Sequence, residues 1–379
     1  YEKINNAEKI TGKTINNLTY GFIHASTYKD TLINNQQVKF KNNYIVSRLT
    51  KDLLIGNSYI GIMTSHLFDS SDVVSIDGVF NLLDNRISTN GQLVFSKDNK
   101  KIGKGFFYEF KYIAPKLISL WFEIDYYDRD FDINDIGYLR RNNFINNSLG
   151  SNLFIEHPFN FINNIKFSTI YRYNSTLDYH SHVNSKLVLD SRLEFNLSIL
   201  FKNYYQIEFG GNKAFERYDD VATYDYELKK IGPIIKLSKS NGFNFSLFSD
   251  NTKPVIFNFL YGYGEDALNG KGQNYSFSID YKISSNLNFY ANKYYGESSE
   301  IYRWVEITEE QLNEFESRNH YIFSNSNNHL SSTIFRNTRK SFNTPCCWRS
   351  IIQLEVLTNN EVQNGNNTHI IKRLLYFIG

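Results

Sequence analysis

Leu117-Ile-Ser-Leu-Trp-Phe-Glu-Ile-Asp-Tyr-Tyr127 decides the fold. Ile118, Leu120, Phe122, Ile124 and Tyr126 fall on one set of alternate positions, and Ser119, Trp121, Glu123 and Asp125 on the other. A period of two is the signature of a β-strand with one apolar and one polar face, because successive side chains point to opposite sides of the pleat. A helix would mix the two sets.

The same sorting recurs outward from this stretch. Phe106, Tyr108, Phe110 and Tyr112 separate from Glu109 and Lys111. Leu187, Leu189, Leu193, Phe195, Leu197 and Ile199 separate from Lys186, Asp190, Arg192, Glu194 and Asn196. Tyr275, Phe277, Ile279 and Tyr281 separate from Asn274, Ser276, Ser278, Asp280 and Lys282. Seventeen strands are expected, near residues 18–28, 39–50, 57–67, 73–83, 90–97, 105–113, 117–127, 143–156, 164–174, 184–198, 203–213, 241–250, 254–264, 272–282, 287–297, 319–325 and 328–338. Many run about nine to eleven residues, the length at which a tilted strand crosses a bilayer.

Tight connections are expected at 84–89, 114–116, 157–163, 200–202, 250–253 and 283–286, and longer polar ones at 98–104, 128–142, 175–183, 214–240, 265–271 and 298–318. Short alternating with long is the habit of outer-membrane barrels. Tyrosines at 126 and 127, 171 and 173, 204 and 205, 261 and 263, and 294 and 295 fall near strand ends, where an aromatic girdle would meet lipid headgroups.

Composition fits this picture. The 379 residues hold 28 Tyr and 31 Phe, 16% aromatics with Trp, yet mean hydropathy is only −0.43. No window reaches the ~18 to 20 apolar residues of a spanning helix. Net charge is +2, which gives no field to attract nucleic acid. The two cysteines, Cys346 and Cys347, are adjacent and define no separated disulfide. The expected fold class is all-β: an antiparallel up-and-down transmembrane β-barrel of about sixteen to eighteen strands. Residues 1–17 are expected as a linker, 18–341 as the barrel and 342–379 as an irregular tail. The chain begins at Tyr1 without an export signal and reads as a fragment.

Four segments resemble one family: Tyr59-Ile-Gly-Ile-Met-Thr64, Asp130-Phe-Asp-Ile-Asn-Asp-Ile-Gly-Tyr-Leu-Arg-Arg-Asn142, Phe201-Lys-Asn-Tyr-Tyr205 and Ser249-Asp-Asn-Thr-Lys-Pro254. They are similar to the domain of unknown function 5916 family, surface proteins chiefly of Bacteroidota in which a C-terminal β-barrel follows a module similar to carbohydrate-binding family nine. The resemblance implies the outer membrane of a Gram-negative cell and a carbohydrate as solute. Two departures stand out: Lys230-Ile-Gly-Pro233 replaces the family's Arg-Gly-Gly-Pro-like turn, and alternation collapses from Thr344-Pro-Cys-Cys-Trp-Arg349 onward, as in a truncated or frame-shifted end.

Signals for chemistry are weak. Asp128-Arg-Asp-Phe-Asp132 opens like a calcium loop, but Ile133 and Leu139 stand where glycine and the bidentate glutamate belong. The family loop holds Asp130, Asp132, Asn134, Asp135, Gly137, Arg140, Arg141 and Asn142; in it Asp132 or Asn134 is expected to cap a short helical turn through Gly137, and Arg140 and Arg141 to answer the acidic cluster. His180-Ser-His182 reads as solvated, and Gly262-Tyr-Gly264 with Gly270 and Gly272 as a turn-rich loop. No catalytic residue, metal site or cofactor motif is selected. The polar-face set Glu109, Lys111, Glu123, Asp125, Lys166, Arg172, Lys186, Asp190, Arg192, Glu194, Glu208, Asp280 and Lys282 is expected to line a lumen, either as bracing ion pairs or as a conduit. The expected partners are therefore the outer-membrane bilayer and a carbohydrate, with no nucleic acid. A secreted, soluble all-β carbohydrate-binding protein and a membrane anchor for the upstream module are the alternatives. Nothing in the sequence sets an oligomeric state.

Overall fold

The computed structural model describes residues 3–33, 36–54, 57–98, 101–180, 184–221, 234–284, 287–313, 316–339 and 352–360. Among them every regular element is a strand, and no helix is long and apolar enough to cross a membrane. The chain divides into two compact units, residues 1–151 with 172–188 and residues 152–171 with 189–379.

The first unit contains β1 (Lys3–Lys13), β2 (Leu18–Ile33), β3 (Gln36–Leu53), β4 (Ser58–Leu67), β5 (Ser71–Leu82), β6 (Ile87–Asp98), β7 (Lys101–Ala114) and β8 (Ile118–Tyr127). Residues from β9 (Phe144–Phe159), β10 (Ile162–His180) and β11 (Ser185–Phe201) belong to both units. The second unit continues with β12 (Gln206–Ala214), the short hairpin β13 (Arg217–Asp219) and β14 (Ile235–Leu237), β15 (Ser240–Phe248), β16 (Val255–Glu265), β17 (Lys271–Ser284), β18 (Leu287–Asn313), β19 (Glu316–Arg339) and β20 (Ile352–Asn360). Ladders within each unit are antiparallel and join neighbours in the chain, except that β12 pairs β15 past the short hairpin.

Register sets the two faces apart. On β4 and β5, Ile62 opposes Ile76 while Met63 opposes Ser75 and Gly61 opposes Asp77. Leu49, Ile62, Ile76, Leu93 and Phe95 are between 42% and 48% exposed, whereas Ser65, Ser71, Ser75 and Ser96 of the polar face are buried. The second unit repeats the inversion: Phe195, Phe209 and Phe277 are exposed, and Ser198, Ser246 and Ser278 are buried. Large apolar groups outside and small polar groups inside are the reverse of a water-soluble sheet, whose apolar face packs on a core.

Several expectations need correction. The sheet is not closed: among the described residues β1 pairs only β2, and β20 only β19, so both end strands keep an open edge. The residues beyond 339 that would complete a seam are described only at 352–360. Residues 3–13 form β1 where a linker was expected, and 352–360 form β20 within the expected irregular tail. The rest of that tail, with Cys346 and Cys347, lies outside the described residues, as do His182 and Lys230 to Pro233.

Loop length also departs from the expected parity. Among the described residues the connections at one end of the strands are short, the longest being 249–254. At the other end 128–143 and 215–239 are long as expected and 266–270 is a loop within the expected 265–271, but the expected loops at 98–104, 175–183 and 298–318 are, among the described residues, largely strand. There the length sits in strand overhang. β17 leaves β18 at the Lys271–Ser299 pair, while β18 and β19 pair onward from Ile301–Ser326 to Asn313–Glu316. The two short strands expected at 319–325 and 328–338 are one, β19. Tight turns use left-handed residues such as Asn17 (φ 58°), Asn85 (φ 64°) and Tyr204 (φ 65°). Asparagine tolerates that region best, because its short polar side chain bonds its own backbone.

Candidate functional site

In the first unit, lateral pairing brings Asn90, Glu109 and Glu123 into one row and Asp77, Gln92, Phe107 and Asp125 into the next. Four of the expected lumen residues therefore share a wall, with Lys111 opposite Trp121 one row away. Glu109 and Glu123 stand directly opposed, a like-charge pair that destabilises a ladder unless answered. Arg172 is near enough to act on Glu123, and Asn146 Nδ2 donates to Asp125 Oδ2 at 2.8 Å. Arg48 reaches across β4 to Asp77 at 2.7 Å. It can do so because Gly61 lies between them: a Cβ there would sit 3.1 Å from Asp77 Oδ1 and 3.3 Å from Arg48 Nη2.

The 128–143 loop is seated on this wall. Phe131 is 1% exposed, with its backbone over Gly103, its ring 3.0 Å from the Cβ position of Gly105, and its centroid 5.2 Å from that of Tyr127. Only glycine permits such an approach at position 103. Asp128 Oδ2 accepts from Lys104 N at 2.9 Å, and Asp132 N donates to Ser96 Oγ at 3.0 Å. Asn142 Nδ2 donates to the Arg129 and Phe131 carbonyls at 2.8 and 3.1 Å, closing the loop. Asp132 Oδ1 accepts from Asn134 N at 2.9 Å and Asn134 Oδ1 from Leu139 N at 2.8 Å, so the segment through Gly137 is a capped turn without a helix. Lys101 meets Asp130 at 2.9 Å, and Ser70 Oγ donates to Asp135 at 2.9 Å. Arg140 and Arg141 follow this turn.

The second unit's wall is built differently. Arg192 lies between Asp190 and Glu194, at 3.6 and 3.8 Å, and Glu208 accepts from Gln206 Nε2 at 2.7 Å. The other expected residues scatter. Lys166 stands 5.7 Å from the Phe154 ring centroid, Lys186 is exposed in the first unit, Asp280 holds a buried Oδ1, and Lys282 Nζ donates to Asn251 O at 3.1 Å in the 249–254 turn. In that turn Asp250 accepts from Thr252 N at 2.8 Å and Thr252 Oγ1 at 2.6 Å, which holds its carboxyl below the usual carboxylate range.

Sequence reasoning passed over the feature that dominates this wall. Register places Asn196, Gly210, Asn244, Gly262, Asn274 and Gly296 in one lateral row across six strands. The carboxamide of Asn244 fills the space a Cβ on Gly210 would take, and Asn274 Oδ1 lies 2.7 Å from the corresponding point on Gly262. The Tyr294 hydroxyl lies 2.7 Å from that point on Gly296. Asn212, Gly242, Gly264 and Gly272 form the adjoining row. Gly262, Gly264 and Gly272 are therefore strand residues, a correction to the expected loop. From Asn244 to Gly296 the first row, with the adjoining row, floors a groove of about 820 Å³ near the long end of the strands, while Asn196 and Gly210 line a smaller one of about 260 Å³ that shares Asn212 and Asn244 with it.

On the apolar face Tyr261, Tyr275 and Tyr295 align in one row, with Tyr275 and Tyr295 stacked at 5.0 Å, and Gln273, Glu297 and His329 follow toward the long end. Tyr127 and Tyr294, expected in the girdle, point to the polar face instead, because adjacent residues cannot share a face. Among the described residues no group of three or more His, Cys, Asp or Glu could hold a metal ion.

A family model described as a domain of unknown function (DUF5916) matches residues 2–348. Comparison with curated proteins gives no match. Among solved structures the chain is similar to the crystal structure of Pseudomonas aeruginosa OpdQ at a TM-score of 0.37 and 10% identity, over 84% of this chain and 96% of that one. A likeness so loose carries no argument.

Proposed function

The chain belongs to the DUF5916 family, and from that premise we propose that it is a non-enzymatic β-barrel of a bacterial outer membrane, passing or capturing a solute along its polar wall. One observation carries this: in both units the large apolar side chains are exposed and the small polar ones buried. At roughly 25 cal/mol per Å² of apolar surface, such a face is unfavourable in water and favourable against lipid tails. A soluble all-β protein would have to cover that face with a second sheet, and the only other sheet among the described residues is the three-residue β13–β14 hairpin.

Lipid adds a requirement. Open edges leave backbone donors and acceptors without water, at several kcal/mol each, so the outer edges of β1 and the final strands must meet or be covered in the bilayer. The resemblance to surface proteins with a sugar-binding module points to a carbohydrate as the solute.

The loop seated on the first unit's wall favours a second reading, a filled barrel that anchors an upstream module. Detergent phase separation tests the membrane reading, and a chain found in the aqueous phase as a compact monomer would sink it. Conductance steps in a planar bilayer separate conduit from anchor. Steps unchanged after neutralising Arg172 and Arg192 would remove both from the pore lining.

A further inference from the structure

We infer that the carboxamide row of the second unit is a binding ledge for an extended, uncharged oligosaccharide lying across the strands. The inference rests on the proposed reading of the polar face as a water-filled lumen. Asn196, Asn244 and Asn274 sit on alternate strands of the ladder β11, β12, β15, β16, β17. Neighbouring strands are about 4.8 Å apart, so the amides recur about every 9.5 Å. That interval is close to the disaccharide repeat of an extended β-1,4-linked chain.

The amides are also unspent. Among the described residues none of Asn196, Asn212, Asn244 or Asn274 makes a side-chain hydrogen bond, although other asparagines do, as Asn258 to Ser278 and Asn292 to Ser276. All four are exposed or half-buried. A carboxamide both donates and accepts, as a sugar hydroxyl does. The row itself carries no charge, and the two cations lining the groove are both paired, Arg192 between Asp190 and Glu194 and Lys271 with Glu265 at 3.6 Å. An anionic chain would have to compete with those carboxylates.

The amides lean over the neighbouring strand, Asn244 over Gly210 and Asn274 over Gly262, and the phenol of Tyr294 lies over Gly296 at one end, so a sugar would rest on carboxamides and one aromatic ring. The same glycines hold each amide in place, because a side chain at 262 would displace Asn274.

The test uses the full chain in detergent micelles, titrated calorimetrically with cellohexaose, with hexagalacturonate as the charged probe and an uncharged hexapeptide as the polymer control. Cellohexaose should bind in preference to both. Asn244→Leu and Gly262→Val should each weaken it about tenfold, the scale of one or two lost hydrogen bonds. Circular dichroism and heat-modifiable gel mobility confirm that the variants are folded. Equal binding by folded variants, preference for the acid or the peptide, or no binding by a chain that still gives conductance steps would overturn the ledge while leaving the barrel standing. Partition of the chain into the aqueous phase would instead overturn the reading beneath it.

Discussion

The two polar walls use glycine to opposite ends. In the first unit glycines make room for partners: Gly61 lets Arg48 reach Asp77, and Gly103 and Gly105 receive Phe131. Donors and acceptors there are largely consumed by the protein itself. In the second unit glycines make room for amides that bond to nothing, and a groove remains. The contrast teaches that a wall's charge is a poor guide to its availability. In the first unit Asp125 is held by Asn146 and Asp77 by Arg48, whereas the unbonded side chains of the second are neutral amides.

Substitutions that unseat the loop should collapse the contrast most. Phe131→Ala removes an aromatic ring from a closed slot and should cost about 3–5 kcal/mol of loop docking. Proteolysis within 128–143, absent in the parent, would report it, and a loop that stays resistant would contradict the seating. Gly103→Val should release the same loop by collision with its backbone, at about 1–3 kcal/mol or more. Arg48→Ala leaves Asp77 facing a bare strand. Because the arginine is partly exposed, about 1–2 kcal/mol is expected in urea unfolding of the full chain in detergent micelles. In the second unit Gly262→Ala need only tilt an unbonded amide and should change stability by less than about 1 kcal/mol, so a loss as large as that of Gly103→Val would erase the distinction.

The smallest effect concerns the 249–254 turn. Thr252 lowers the Asp250 carboxyl below its ordinary 3.8. A depressed folded value means that this stabilisation is present above pH 3.8 and is lost as pH falls through the lowered value. Thr252→Ala should therefore lower the melting temperature at pH 6, and the difference from the parent should shrink toward pH 3.

Strands with one apolar and one polar face were legible, since two such faces require alternation. Leu117 to Tyr127 and Asn274 to Lys282 became β8 and part of β17 with their faces as expected. The far half of the β18–β19 hairpin was not, because residues 298–318 are polar at most positions and period two leaves no mark there. The loop residues from Asp130 to Asn142 were recognisable as a group, while their seat on Gly103 depended on a contact 28 residues upstream of Phe131. The amide row was invisible for a plainer reason: its six members sit on six strands, and only register unites them.

That register, in which nearly every ladder joins a strand to the next one in the chain, also bears on how the molecule is made. Closing a hairpin with a turn of a few residues costs little loop entropy, so each pairing can form as soon as its second strand exists. Assembly can then proceed hairpin by hairpin from either end, with the 215–239 excursion as the one slow closure inside the sheet. Among the described residues the outer edges of β1 and β20 take part in none of these pairings, and such edges are where two copies would pair wrongly.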